Sequence, residues 1–244
     1  RARLKGFAAI ENITKRTDPR LFHLGSEECS RKLALEDISC DGCFLTCHRS
    51  VMRPGGKDLI LPDAQEMMAL GSNLGNWDPM LVMQWRTLCI DLGLHPVSSG
   101  MVIGSVLFSS KDGNSTHSVK KIPELIEKLS RDRIVCAEDS QVQGRPMAPF
   151  DPRGAWGEAL ILGLHEDHPL VPEMELSWLQ TETTAAKAEW VVLQENCLAV
   201  LRSVGLCDQL LAPLIFESAH TALAHRSARF PKISQRLISL QAIA

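Results

Sequence analysis

The residues best placed to do chemistry are three cysteines crowded into Cys40-Asp-Gly-Cys43-Phe-Leu-Thr-Cys47, a C-x2-C-x3-C spacing. Iron–sulfur cubanes need four thiolates at tetrahedral corners, and closely spaced cysteines on a turn can supply three of them. Gly42 permits a tight local backbone, and Phe44 and Leu45 are apolar enough to shield a cluster from water. Zinc is the rival reading, with His48 as a further donor, although zinc sites usually bring paired C-x2-C units or nearby histidines. The plainest alternative is three buried structural cysteines. A fourth thiolate for a cubane is available from Cys29, Cys89, Cys136, Cys197 or Cys207. Cys89 and Cys197 fall within the apolar stripes of helical segments. Cys207 follows Gly205-Leu206, where the chain leaves a helix and a side chain can turn toward a ligand, so it is preferred on physical grounds.

The elements that must position these thiols read as mainly helical. Asp78-Pro79 is a helix start, with Asp as N-cap and Pro in the first turn, and Met80–Leu92 then runs to Gly93 as the terminating residue. Pro62-Asp63 opens a second helix over Ala64–Leu70, and Ile122-Pro123-Glu124 a third over Leu125–Leu129, with Ile126 and Leu129 facing the core. The longest signal covers Trp178–Val204, where Trp190, Val191, Gln194, Cys197, Leu198 and Leu201 recur at three- and four-residue spacing before Gly205. A last helix is expected over Ile233–Ile243. Strand-like segments are scarce; His48–Val51 and Leu59–Leu61 are the best, joined by a hairpin across Pro54-Gly55-Gly56. Ser109–Ser118 and Asp139–Pro149 read as linkers, which predicts two helical domains, residues 1–140 and 141–244.

Bulk properties narrow the class. The chain has 244 residues, 45% of them hydrophobic and 23% charged, and a net charge of −3. That is the composition of a soluble globular protein, and it lacks the basic clusters of a nucleic-acid binder. No apolar run approaches the ~18–20 residues that cross a bilayer, and no signal peptide is visible. Eight cysteines in a chain too long to need staples are better read as metal or redox ligands than as disulfides, which favours a reducing, cytoplasmic compartment.

At this point the chain resembles the aldehyde ferredoxin oxidoreductase family, tungsten or molybdenum bis-pyranopterin enzymes. The resemblance runs from about Leu35 to the C-terminus, through Cys40–Cys47, Met68-Ala-Leu-Gly-Ser-Asn73, Asp91-Leu-Gly-Leu-His-Pro-Val-Ser-Ser-Gly100, Phe150-Asp-Pro-Arg-Gly154 and Gly205-Leu-Cys207, in matching order and spacing. It implies that Cys40, Cys43, Cys47 and Cys207 hold a [4Fe-4S] cluster. It further implies that two Asp-x-x-Gly-Leu-(Asp/Cys) motifs, here Ile90–His95 and Arg202–Cys207, hold the two pterins, so that Asp91, Gly93, Leu94, His95, Gly205 and Leu206 are candidate cofactor contacts. Both motifs depart from the pattern: Ile90 and Arg202 replace the leading Asp and His95 the closing one. An Asp accepts hydrogen bonds from pterin N–H groups, which neither Ile nor Arg can do.

The family glutamate near the metal corresponds to Gln65, which cannot act as a base, so Glu66 beside it is the candidate proton-transfer group. His168 is the match to the family's substrate-side histidine, with His165 as its neighbour alternative. The implied architecture is two helical domains packed around a metal–pterin cofactor and the cluster. The family's β-rich N-terminal pterin domain is missing, which is expected to mean either a split subunit or part of a longer protein. The implied reaction is oxidation of a small-molecule aldehyde to a carboxylic acid, with electrons passing to ferredoxin or an iron–sulfur partner subunit. A separate N-terminal pterin-domain chain or a homodimer would complete the site. The alternatives are a reductase of activated aromatic acyl thioesters and a non-catalytic electron-transfer subunit.

Overall fold

The computed structural model describes residues 7–42, 46–108, 119–132, 141–142, 145–154, 156, 159–160 and 187–207. Helix dominates, and the mainly α expectation is met. The chain divides into two compact units, residues 1–151 and 152–244.

In the first unit a short 3-10 helix (Pro19–Leu24) leads into α1 (Ser26–Lys32), and then β1 (Leu35–Ile38), β2 (His48–Val51) and β3 (Leu59–Ile60) form an antiparallel meander. Next come α2 (Ala64–Leu70), a 3-10 turn (Ser72–Leu74), α3 (Pro79–Asp91), α4 (Pro96–Phe108) and α5 (Ile122–Asp132). A two-stranded hairpin, β4 (Gln141–Val142) with β5 (Arg145–Pro146), follows within the stretch read as a linker. Beyond it the chain pairs back onto the N-terminal segment. Ala9 N–H donates to the Pro149 carbonyl at 3.2 Å, and Phe7 and Phe150 stack with ring centroids 5.9 Å apart. Residues 149–151 thereby belong with the first unit.

Local chemistry explains the main helices. The Asp63 carboxylate accepts from Glu66 N–H at 2.8 Å while the Glu66 carboxylate accepts from Asp63 N–H at 3.3 Å, a reciprocal capping box that starts α2. Asp78 accepts from Met80 N–H at 2.9 Å, and Pro79 occupies the first turn of α3, where no N–H is needed. Helix α4 is the central one. Ser99 through Ser105 are all buried, and α2, α3, α5 and the Ser72–Leu74 turn pack around it.

Glycine allows that packing. A Cβ on Gly100 would lie 2.5 Å from the Ala69 carbonyl oxygen, and one on Gly104 would strike the Asn73 side-chain amide. Asn73, fully buried, donates from Nδ2 to the Gly100 carbonyl at 3.0 Å. The core joins Leu24, Met67, Leu70, Leu74, Val82, Trp85, Ile103, Ile122 and Ile126 with two cysteines, Cys29 and Cys89.

In the second unit the described element is α6 (Lys187–Ser203), whose Val191, Leu198 and Leu201 are buried at helical spacing. The expected helix start at Trp178 and the expected helix Ile233–Ile243 lie outside the described residues. No single described helix is long and apolar enough to cross a membrane.

Candidate functional site

Strand pairing sets the geometry of the cysteine motif. Ile38 and His48 face each other in the antiparallel register of β1 and β2. The strand ends that flank the cysteine motif are therefore antiparallel neighbours about 4.5–5.5 Å apart between Cα atoms. Cys40 stands just past one leg and Cys47 just before the other, and both are exposed and outside any disulfide. Gly42 between them has φ of +70° with nothing within 4 Å of the Cβ an alanine would add, so the left-handed backbone and not crowding calls for glycine. Cys43, the middle cysteine, lies outside the described residues. Among the described residues no three His, Cys, Asp or Glu side chains converge to hold a metal ion.

The two glycine motifs adopt one shared backbone geometry, in different units. At the end of α3, Gly93 N–H donates to the Ile90 carbonyl at 3.0 Å and Leu94 N–H to the Cys89 carbonyl at 2.8 Å. At the end of α6, Gly205 N–H donates to the Arg202 carbonyl at 3.0 Å and Leu206 N–H to the Leu201 carbonyl at 2.9 Å. Both are Schellman closures with a left-handed glycine, φ +71° and +72°, and both glycines face open space within 4 Å. Cys207 follows the second closure directly and is exposed. Apolar side chains stand exposed around the turns: Ile90 at 45%, with Leu92, Val204 and Leu206.

The remaining cysteines separate cleanly. Burial pushes the Cys29 thiol up and the Cys89 thiol up to about 11, as expected for protonated core residues with no ligand role. Cys136 is outside the described residues, as is the Cys197 side chain.

Two site residues are engaged elsewhere. Glu66 Oε2 accepts from Arg86 Nε at 2.6 Å, with both side chains largely buried, besides closing the α2 capping box. Its carboxylate is a clamp between α2 and α3. Asp91 pairs with Lys57 Nζ at 2.7 Å, an exposed bridge to the segment before β3. Neither Lys57 nor Arg86 was visible as a partner in the sequence, since 34 and 20 residues separate them from Asp91 and Glu66.

His95 caps α4: its Nδ1 accepts from Ser98 N–H at 3.3 Å and lies 3.1 Å from Ser98 Oγ, while its carbonyl accepts from Ser99 Oγ at 2.9 Å. The chain bends by 110° between α3 and α4 at this corner. His168 and His165 lie outside the described residues.

The sequence of this chain is similar to those of known proteins. The sequence model described as "Aldehyde ferredoxin oxidoreductase, domains 2 & 3" matches residues 3–132. The chain belongs to that family. It is 21% identical over 243 residues to the tungsten-containing aldehyde ferredoxin oxidoreductase of Pyrococcus furiosus, covering 83% of this chain and 40% of that protein. The chain thus spans well under half the length of the curated relative it matches.

The two family cofactors fit this chain unequally. A [4Fe-4S] cluster suits the exposed, non-disulfide thiols of Cys40 and Cys47 that flank the hairpin loop. For a pterin, the open glycine turns suit close backbone approach. The side chains do not suit its N–H groups, because Ile90 and Arg202 offer no acceptor and the His95 Nδ1 acceptor is spent on α4.

Proposed function

We propose that the protein carrying this chain is an aldehyde oxidoreductase and that this part holds its electron outlet, a [4Fe-4S] cluster ligated by Cys40, Cys43, Cys47 and Cys207. The overall reaction is aldehyde plus water to carboxylic acid, two protons and two electrons, with the electrons accepted by ferredoxin or an iron–sulfur partner subunit. When bound, the cluster supplies one-electron transfer, its potential tuned by burial and by hydrogen bonds to sulfur. The observation that carries the reading is that the paired legs of the β1–β2 hairpin end beside Cys40 and Cys47, with the left-handed Gly42 between them.

The chain's own residues do the positioning. The β1–β2 register holds the legs of the loop, Gly42 turns the backbone, and Gly205 ends α6 so that Cys207 leaves the helix. His168 is the proposed proton-transfer residue. Glu66, fixed by Arg86, positions α2 against α3. The Gly93 turn and the Gly205 turn are each proposed as a backbone contact for a tungsten or molybdenum bis-pyranopterin, with a pterin-binding domain, a separate chain or a second copy supplying the rest. A reducing, cytoplasmic setting suits exposed thiols.

A second reading has its own support in Ile90, Arg202 and His95: a cluster-bearing electron-transfer subunit without the pterin. Reduction of activated aromatic acyl thioesters stays within the same family logic. Iron near four per chain together with tungsten or molybdenum, and aldehyde-dependent reduction of viologen, supports the oxidoreductase. Iron alone supports the electron carrier.

A further inference from the structure

Between the 3-10 helix Pro19–Leu24, the end of α1 and the start of α3 lies a groove of about 600 Å³. That volume is ordinary for a small-molecule site. Leu33, Trp77, Pro79 and Val119 supply its apolar lining, and Arg20, His23 and Lys32 bring nitrogen donors to it. Arg20 and His23 stand three residues apart on the 3-10 helix, where side chains at that spacing share one face. Lys32 joins them, its Nζ 3.0 Å from His23 Nδ1.

Each of the three is held in place and keeps a donor unspent. Arg20 donates from Nε to Asp18 Oδ1 at 2.9 Å and from Nη2 to Oδ2 at 2.7 Å, and its guanidinium carbon lies 4.8 Å from the Trp77 ring centroid. Nη1 has no acceptor among the described residues. An ammonium can only donate, so His23 Nδ1 accepts from Lys32 and the neutral ring carries its proton on Nε2. Lys32 also meets Glu28 Oε1 at 3.2 Å, which leaves one of its three N–H groups. The nearby carboxylates are already engaged: Asp18 with Arg20, Glu28 with Arg31 and Lys32, and Asp78 with Met80 N–H as the cap of α3.

We propose that this groove binds a small-molecule carboxylate with an apolar body. The carboxylate takes the spare N–H groups of Arg20, His23 and Lys32, and the body lies against Leu33, Trp77 and Val119. A carboxylate offers about four lone-pair sites to three donors, and such charge-assisted bonds are roughly twice as strong as neutral ones. An uncharged molecule leaves those donors unmatched, and an anion without an apolar body leaves the lining unused. The proposal goes beyond the electron outlet and asks nothing of the cluster or of a metal.

The test is calorimetric titration of the purified full-length protein with benzoate, and with benzamide as its uncharged counterpart. Benzoate should bind at one site per chain, and benzamide roughly tenfold more weakly or worse. Lys32→Gln and Arg20→Gln should each weaken benzoate by a similar factor. Lys128→Gln, which removes a positive charge from the exposed face of α5, should bind benzoate as the native protein does. Thermal unfolding of each variant checks that it is folded.

No benzoate binding, or benzamide binding equally well, overturns the proposal. So does benzoate affinity that survives both groove substitutions, or that falls as far in Lys128→Gln. Nitrogen–proton NMR gives a second readout: the Trp77 indole signal, assigned with Trp77→Phe, should shift as benzoate is added. A signal that stays fixed at saturating benzoate overturns the assignment to this groove.

Discussion

Gly100→Ala perturbs the tightest helix contact in the first unit, and its cost can be worked from the geometry. The added Cβ would sit 2.5 Å from the Ala69 carbonyl oxygen and 2.6 Å from the Ala69 carbonyl carbon. A tolerable C···O contact is about 3.3 Å, so α4 must move off α2 by about 0.8 Å. Both opposing atoms are backbone, so no rotamer change relieves the clash. Overpacking of this kind costs about 1–3 kcal/mol, and a backbone obstacle puts this site at the top of that range. Alanine recovers about 0.5–1 kcal/mol of helix propensity over glycine, which leaves a net loss of about 2 kcal/mol.

For a chain of this size that is a fall in Tm of about 4–8 °C. Thermal unfolding followed by circular dichroism reads it directly, with urea unfolding as a check that the slope m is unchanged. Ala69→Gly in the same chain should not rescue the variant, because the obstacle is the Ala69 backbone. An unchanged or raised Tm for Gly100→Ala would refute the packing of α4 on α2 described above.

Glu66→Gln should lower stability by about 1–2 kcal/mol, since it leaves the largely buried Arg86 guanidinium without its counter-charge; a loss of turnover with unchanged Tm would restore a proton-transfer role to Glu66. In cluster-free protein at pH 8, iodoacetamide should modify Cys40, Cys47 and Cys207 and spare Cys29 and Cys89. The Cys89 thiol, pushed up to about 11 by burial, is a thiolate only to about one part in a thousand at that pH. Because the raised value favours the protonated form, its labelling should rise only as pH approaches that value; mass spectrometry showing early modification of Cys89 would contradict its place in the core. Cys207→Ala should convert the cluster to a labile or three-iron form, and unchanged iron content and spectrum would move the assignment to Cys197.

The helices whose ends are written locally could be read from the sequence: Asp63, Asp78-Pro79 and Gly93 mark α2 and α3 at the residues where the structure caps them. Strands β2 and β3 and their hairpin were equally readable, because alternation and Pro54-Gly55-Gly56 act over a few residues. Helix α4, which begins at Pro96, was not read as a helix from the sequence. Its cap is a histidine, outside the usual set of capping residues, and Gly100 and Gly104 weaken the local helical signal for the sake of the contact with α2 and Asn73. Strand β1 has charged Glu36 and Asp37 at its centre and pairs on one side only, so no alternation announces it. At the site, spacing alone pointed to Cys40, Cys43 and Cys47. The Lys57–Asp91 and Arg86–Glu66 pairs depend on tertiary contact and had no sequence signal.

The central claim is that these cysteines hold a cubane. Iron, zinc and acid-labile sulfide quantified on the same sample of full-length protein, with electron paramagnetic resonance after dithionite reduction, test it most directly. About four iron and four sulfide per chain with a reduced-cluster signal are expected. One zinc per chain with no iron and no sulfide would contradict it.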